Sequence, residues 1–197
     1  MLALAACNTT QIKLVQVRSN DGYSDGRGPV RGMLIIGVSE QSDKRQLLES
    51  IFTKTLSSTG IQALSSLEIM STGTEISEET VGAAIAGKNI DAVLVVRFVR
   101  LEEQKLYHGP DPTTYRSERE LRRNLWDYYS MTYDYTSDES LHTEDLVAVL
   151  ESSVYDAETA ELIWAVQSHS INPKSLDAEF RSLSELITES LKSAKLI

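Results

Sequence analysis

Val154-Tyr155-Asp156-Ala157-Glu158-Thr159-Ala160-Glu161-Leu162-Ile163-Trp164 is the stretch on which the fold turns. Its middle, Asp156 to Glu161, is polar or small, which suits a tight turn. The flanks, 146–155 and 162–170, alternate in polarity and carry β-branched residues. That pattern predicts two antiparallel strands joined as a hairpin.

Upstream, the period changes. Asp91-Ala92-Val93-Leu94-Val95-Val96-Arg97-Phe98-Val99 is the clearest strand in the chain. Met33-Leu34-Ile35-Ile36-Gly37-Val38 is a continuous apolar run, expected of a strand covered on both faces. Between them, Leu47, Leu48, Ile51, Phe52 and Leu56 form one helical stripe. Ser42 is the expected cap of that helix, and Gly60 suits its left-handed end. Residues 61–67 read as a second short strand. Ser77 caps a second helix with Glu78 and Glu79 in its first turn, and Val81, Ala84 and Ile85 form its expected buried stripe. Downstream of the hairpin, Asn172 is expected to cap and Pro173 to open a last helix, with Phe180, Leu183, Ile187 and Leu191 facing inward. The order β-α-β-α-β-(insertion)-β-β-α predicts an α/β protein, bordering on α+β, with a single mixed sheet and helices packed on it.

The chain is 197 residues long, enough to bury a core without a disulfide or a metal. Lys and Arg total 19 against 29 Asp and Glu, for a net charge of −10. Nucleic-acid binding needs a basic surface that replaces phosphate counterions, so no nucleic-acid partner is expected. One cysteine rules out an internal disulfide, a CxxC redox site and a Cys-rich zinc site. No run of eighteen apolar residues is present to span a membrane as a helix.

That one cysteine stands in Leu4-Ala5-Ala6-Cys7, which resembles the bacterial lipobox. Small residues before the cysteine fit a tight peptidase groove, and the thiol becomes the lipid attachment point. The apolar residues before it read as the end of a signal h-region. On this reading, 1–6 is the remnant of a lipoprotein signal peptide and 7–31 a lipidated tether. An α/β domain fills 32–197. Two or three acyl chains, palmitate among them, hold such a protein on the membrane stably. Asn8 lacks the charge of the aspartate that retains enteric lipoproteins in the inner membrane. The resemblance therefore implies the periplasmic face of the outer membrane in a Gram-negative bacterium. The competing reading of Cys7 is a plain buried or free thiol. Within the tether, 12–17 reads as a weak strand, and 19–29 is dense in turn formers.

The insertion at 101–144 is far longer than an ordinary connection of about 4–6 residues. It holds most of the tyrosines, Trp126 and the basic cluster Arg116, Arg119, Arg122 and Arg123. Residues 115–125 suit a short helix, and 126–136 alternate so that Tyr129, Met131, Tyr133 and Tyr135 share a face. Aromatics and arginines anchor protein interfaces because they bury area and keep a polar tip. The candidate partner-binding residues are Tyr115, Arg119, Arg122, Arg123, Trp126, Tyr129, Tyr133 and Tyr135. The alternative is a hairpin whose aromatics cover the sheet.

The chain carries no Walker loop, no GxGxxG following a strand and no GxSxG elbow. His108, His142 and His169 lack paired-ligand spacing, so no metal site is expected. Asp138-Glu139 and Glu144-Asp145 read as solvated loop carboxylates. Asn20, Asp21 and Asp25 lack the EF-hand pattern. No catalytic residue, no cofactor and no enzymatic activity are expected.

The region from 33 to 195 resembles small bacterial lipoproteins with a domain like the amino-terminal domain of the Tol-system translocation protein. Curli secretion channels and the lipoprotein activators of penicillin-binding proteins share that domain. The resemblance rests on Met33–Val38, the helix ending at Gly60, Ile90-Asp91-Ala92-Val93-Leu94-Val95 and, most specifically, the 154–164 hairpin, whose Trp164 would pack under a helix. It marks fold and carries over no catalytic residue. The expected function is protein binding in envelope assembly, secretion or motility. Partners are outer-membrane lipid through acylated Cys7 and unidentified envelope proteins. The alternatives are a subunit of an oligomeric outer-membrane secretion channel and a periplasmic enzyme.

Overall fold

Met33, Leu34, Ile35 and Ile36 are all at most 4% exposed. A strand buried on both faces needs no polar alternation, and the apolar run forms β2 (Gly32–Val38). The structure is a computed structural model that describes residues 11–19, 23, 27–39, 41–71, 73–107, 142–173 and 175–197. The elements in order are β1 (Gln11–Ser19), β2, α1 (Ser42–Ser57), β3 (Gln62–Ser65), α2 (Ser66–Ile69), α3 (Glu78–Ile85), β4 (Ala92–Tyr107), β5 (His142–Asp156), β6 (Leu162–Ile171) and α4 (Leu176–Ser193). The six strands form one mixed sheet in the order β1-β6-β5-β4-β2-β3. Helices pack on it, as an α/β protein requires.

β2 runs parallel to β3 from Gly32↔Gln62 to Ile35↔Ser65, and parallel to β4 from Met33↔Ala92 to Val38↔Arg97. Parallel neighbours need a crossover, and α1 supplies the first one. β5 and β6 pair antiparallel from Val147↔Ile171 to Tyr155↔Leu162, the expected hairpin. The chain divides into two compact units, residues 1–101 with 147–197, and residues 102–146. β4 begins in the first unit and ends in the second, and β5 does the reverse.

The main core lies under α1 and α4. Phe52 and Leu56 of α1 join Leu183, Ile187 and Leu191 of α4 over Leu94, Trp164 and Val166 of the sheet. Burying each such side chain stabilises the fold by about 1.5–3 kcal/mol. Trp164 is completely buried in this cluster. Thr55 and Ser184 share a hydroxyl hydrogen bond of 2.9 Å where α1 meets α4.

Several local expectations are corrected. Ser42 is the first residue of α1 and not its cap; the cap is Gln41, which makes no side-chain capping bond. Asn172 and Pro173 do not open α4. Ser175 caps it by accepting the Ala178 amide, while Asn172 takes φ +51 at the end of β6. The second strand stops at Ser65, because that side chain accepts the Leu67 amide and starts α2. Ser77 does cap α3, with a reciprocal bond from its own amide to Thr80 Oγ1. None of Val81, Ala84 and Ile85 is fully buried, so α3 is a half-covered helix. Gly60 adopts φ +96 past the end of α1.

β1 lies inside the stretch read as a tether. It forms a sheet edge against β6, from Gln11↔Ile171 to Ser19↔Trp164, with an irregularity between Val15 and Arg18 where Gln16 takes φ +53. Ile12 and Leu14 pack against the core. Among the described residues no helix is long and apolar enough to cross a membrane.

Candidate functional site

Cys7 and the residues chosen as a partner surface, Tyr115, Arg119, Arg122, Arg123, Trp126, Tyr129, Tyr133 and Tyr135, lie outside the described residues. So do His108, Asn20, Asp21, Asp25 and the pair Asp138-Glu139. His169 is half-buried on β6, opposite Lys13 of β1 and Val149 of β5. Among the described residues no three His, Cys, Asp or Glu side chains could hold a metal ion.

Two carboxylates organise the polar chemistry that is described. Asp156 closes the β5–β6 hairpin, and its side chain is only 2% exposed. Oδ1 accepts the amides of Glu158 (2.9 Å) and Thr159 (2.7 Å), the self-bonded turn that aspartate favours. Oδ2 accepts Tyr23 Oη at 2.8 Å and Arg27 Nη1 at 2.7 Å. Burial pushes this carboxyl up, but the Thr159 amide, the Tyr23 hydroxyl and the Glu158 amide outweigh it and hold it below the usual range. Tyr23 is pushed up to about 12 by burial and by its bond to the Asp156 charge.

Asp91 sits at the same end of the sheet. Its carboxylate accepts the amides of Arg31 and Gly32, the latter at 2.8 Å, and its carbonyl accepts the Ala157 amide at 3.0 Å. The Val30 amide donates to the Leu196 carbonyl at 2.7 Å. The chain before β2 is thus bound to the hairpin and to the end of α4.

Arg27, Arg31, Gln62, Asn89, Ile90 and Asp91 line a cleft of about 540 Å³ at the amino ends of β2, β3 and β4. Its wall can offer guanidinium and amide donors to a carboxylate or phosphate. Among the described residues that line it there is no Ser, Cys or His, and Asp91 gives its oxygens to backbone amides. The cleft is equipped to bind a polar group, and its described lining holds no nucleophile–base pair.

Open α/β sheets place ligands at the opposite, carboxyl ends of their strands, where the strand order reverses. Here β2 lies between β3 and β4, and that crevice is filled from within. Glu49 of α1 is fully buried there. Its oxygens accept the Gly37 amide (2.9 Å), Arg45 Nε (2.9 Å), Ser65 Oγ (2.7 Å), Ser66 Oγ (2.8 Å) and the Leu67 amide (3.0 Å). Burial raises this carboxyl, but the Ser65 hydroxyl and Gly37 amide lead a set of donors that bring it below its ordinary value. No acceptor position is left for a ligand, so the role is structural.

A fourth carboxyl is different. Glu179 of α4 is 3% exposed, and neither of its oxygens has a hydrogen-bond partner. Burial pushes its ionisation up. The nearby Ser170 hydroxyl offsets part of this without a well-formed bond.

The sequence reading singled out none of the four as a site residue. The available signal was positional: Glu49 continues the stripe of Leu48 and Phe52, and Glu179 precedes Phe180 by one residue at the spacing of Leu183.

No family model matches the chain, and no relative was found among curated proteins. Solved structures do show similarity. The PelC dodecamer from Paraburkholderia phytofirmans aligns at 10% identity and TM-score 0.46, covering 96% of this chain and 99% of that one. A single-substitution form of the same dodecamer aligns at 10% identity and TM-score 0.47, covering 91% and 96%. Lipoprotein GNA1162 from Neisseria meningitidis aligns at 10% identity and TM-score 0.41, covering 82% and 98%.

Proposed function

We propose that this protein is an envelope lipoprotein, anchored through acylated Cys7 to the periplasmic face of the outer membrane, which works by binding other envelope proteins. The carrying observation is the tetrad Leu4-Ala5-Ala6-Cys7, in which the chain's one cysteine follows small and apolar residues. Absence of enzymatic activity is part of the proposal. It is supported by the polar cleft, among whose described lining residues the carboxylate is tied to amides and there is no nucleophile. The partner surface is assigned to Tyr115, Arg119, Arg122, Arg123, Trp126, Tyr129, Tyr133 and Tyr135, whose residue types anchor interfaces.

The test is crosslinking in intact envelopes followed by affinity purification, with Cys7→Ser as control and labelled palmitate as a tracer. Label in the wild type and not in the variant, with a protein partner recovered only from the wild type, is the expected result. Failure to incorporate label removes the anchor. Recovery of no partner removes the binding role.

A further inference from the structure

We propose that β1 is a pH-sensitive strap, which seals the buried carboxyl of Glu179 while that group is protonated and loosens from β6 when it ionises.

β1 is built to come away by itself. Among the described strands it stands at the sheet edge, and its one partner is β6. Ile12, Leu14 and Val15 are half-buried, and from 16 to 19 every side chain is exposed, so 12–19 adds no fully buried residue. Its partner is the reverse, with Ile163, Trp164, Val166, Ser168 and Ser170 at most 2% exposed. The ladder breaks between Val15 and Arg18, where Gln16 takes φ +53, a region that side chains other than glycine enter at a cost. An element with little buried area and an interrupted ladder opens at lower free energy than the core. Tyr23 and Arg27 both bond Asp156, so those residues can stay fixed while β1 moves.

What lies under the strap ties it to pH. Ile12 stands directly opposite Ser170, and paired residues of antiparallel strands share a face. α4 packs against β1 as well, and its Glu179 lies beside Ser170. Both oxygens of Glu179 and the Ser170 hydroxyl are buried without a hydrogen-bond partner. Such a carboxyl is tolerated when neutral, whereas its charged form needs donors or water. Ser170 is flanked on β5 by Ala148, deep in the core, and on β1 by half-buried Ile12 at the sheet edge. Lifting β1 is therefore the short way to let water in. No charge competes for the role. Lys13 and His169 pair on the opposite face of the sheet, and Asp177 and Arg181 of α4 bond each other at 2.7 Å in solvent. α1 meets α4 through Thr55 and Ser184; its Arg45 and Glu49 are bonded to one another, and Asp43, Lys44 and Lys54 exert no influence on Glu179. With β1 closed, burial raises the ionisation of Glu179. With β1 open, water returns it to the ordinary value of about 4.3. Between those values the closed state keeps a proton that the open state gives up. Opening therefore grows more favourable as pH rises through that window and levels off above it.

Amide hydrogen exchange on the full chain, from below the ordinary glutamate value to neutrality, tests this. The wild-type rate for 11–19 is divided by the rate in Glu179→Gln at the same pH, so that the intrinsic pH dependence of exchange cancels. The expected ratio is near one at the acid end and rises several-fold towards neutrality, with 11–19 less protected than 92–96 of β4 throughout. A ratio that stays flat overturns the coupling to Glu179. Protection of 11–19 equal to that of 92–96 overturns the strap. A second variant, Lys13→Cys with His169→Cys in a Cys7→Ser background, staples β1 to β6 at a directly opposed pair. Its reduced form should exchange at 11–19 faster than its oxidised form, by a factor that grows with pH. Equal pH dependence in the two forms shows that Glu179 is reached by another route and overturns the proposal. This comparison needs no change at Glu179, so it decides the matter even where Glu179→Gln fails to fold.

Discussion

Glu49 accepts the backbone amide of Gly37 at 2.9 Å, which ties the middle of α1 to the end of β2. The same carboxylate gathers Ser65, Ser66 and Leu67 from the end of β3 and the start of α2. One buried side chain therefore joins four consecutive elements of the parallel half of the sheet.

Glu49→Ala is expected to destabilise the protein by about 3–5 kcal/mol, because it leaves buried donors and the Arg45 charge without their acceptor. Glu49→Gln keeps one acceptor oxygen and should cost less. Urea denaturation of both variants checks the order. The pH dependence has a definite sign. The folded carboxyl is held below its ordinary value, so its stabilisation is complete above about pH 4.3 and is lost as pH falls through the lowered folded value.

Tyr23 should ionise near 12 in the folded protein. Between the ordinary 10 and that value, the unfolded chain gives up this proton and the folded one keeps it. Stability contributed by Tyr23 therefore falls as pH rises through that window. In Asp156→Asn the ionisation should move down towards 10, without reaching it while burial persists. Tyrosinate absorbance titrations, with Tyr23→Phe to identify the signal, make the measurement. An unchanged titration in Asp156→Asn would contradict the geometry.

Glu179 should behave in the opposite sense to Glu49. Its folded ionisation is raised by burial, so the folded state holds the proton more tightly. Its contribution is most favourable below the ordinary glutamate value and is lost as pH rises through the raised one. Glu179→Gln should flatten that slope, and Glu179→Leu should leave stability near neutral pH unchanged or higher, since no hydrogen bond is lost. Chemical denaturation at several pH values, comparing each variant with wild type, isolates the effect from that of Glu49.

Gly32→Ala is expected to destabilise by about 1–3 kcal/mol. A methyl group there would run into the carbonyl oxygen of Asn89, which is backbone and cannot swing aside. Asn89 itself holds φ +52. Gly32→Ala with Asn89→Gly should recover part of the loss if the 89–90 segment can then retreat. Thermal melts of the single and double variants test this.

The apolar patterns were legible directly. Phe180, Leu183, Ile187 and Leu191 are buried as their spacing predicts, and the 154–164 hairpin closes as its turn residues require. Cap positions were less legible. Ser42, Asn172 and Ser175 are all competent capping residues near helix starts, and only backbone geometry selected Ser175 and passed over the other two. The half-covered α3 had the same difficulty, since a stripe shows which face turns inward and not how completely a neighbour covers it.

Sequence by itself determined the types of the long elements, the antiparallel hairpin, the acidic balance and the lipobox-like tetrad, because each is written in neighbouring residues or in composition. Tertiary structure alone decided the fate of the carboxylates and the placement of β1. Tyr23 and Asp156 are 133 positions apart, and Gln11 meets Ile171 across almost the whole chain. A buried charge is tolerated only where donors converge on it. Asp156 and Glu49 have such donors and Glu179 does not, a difference that arises only when distant strands and helices are brought together.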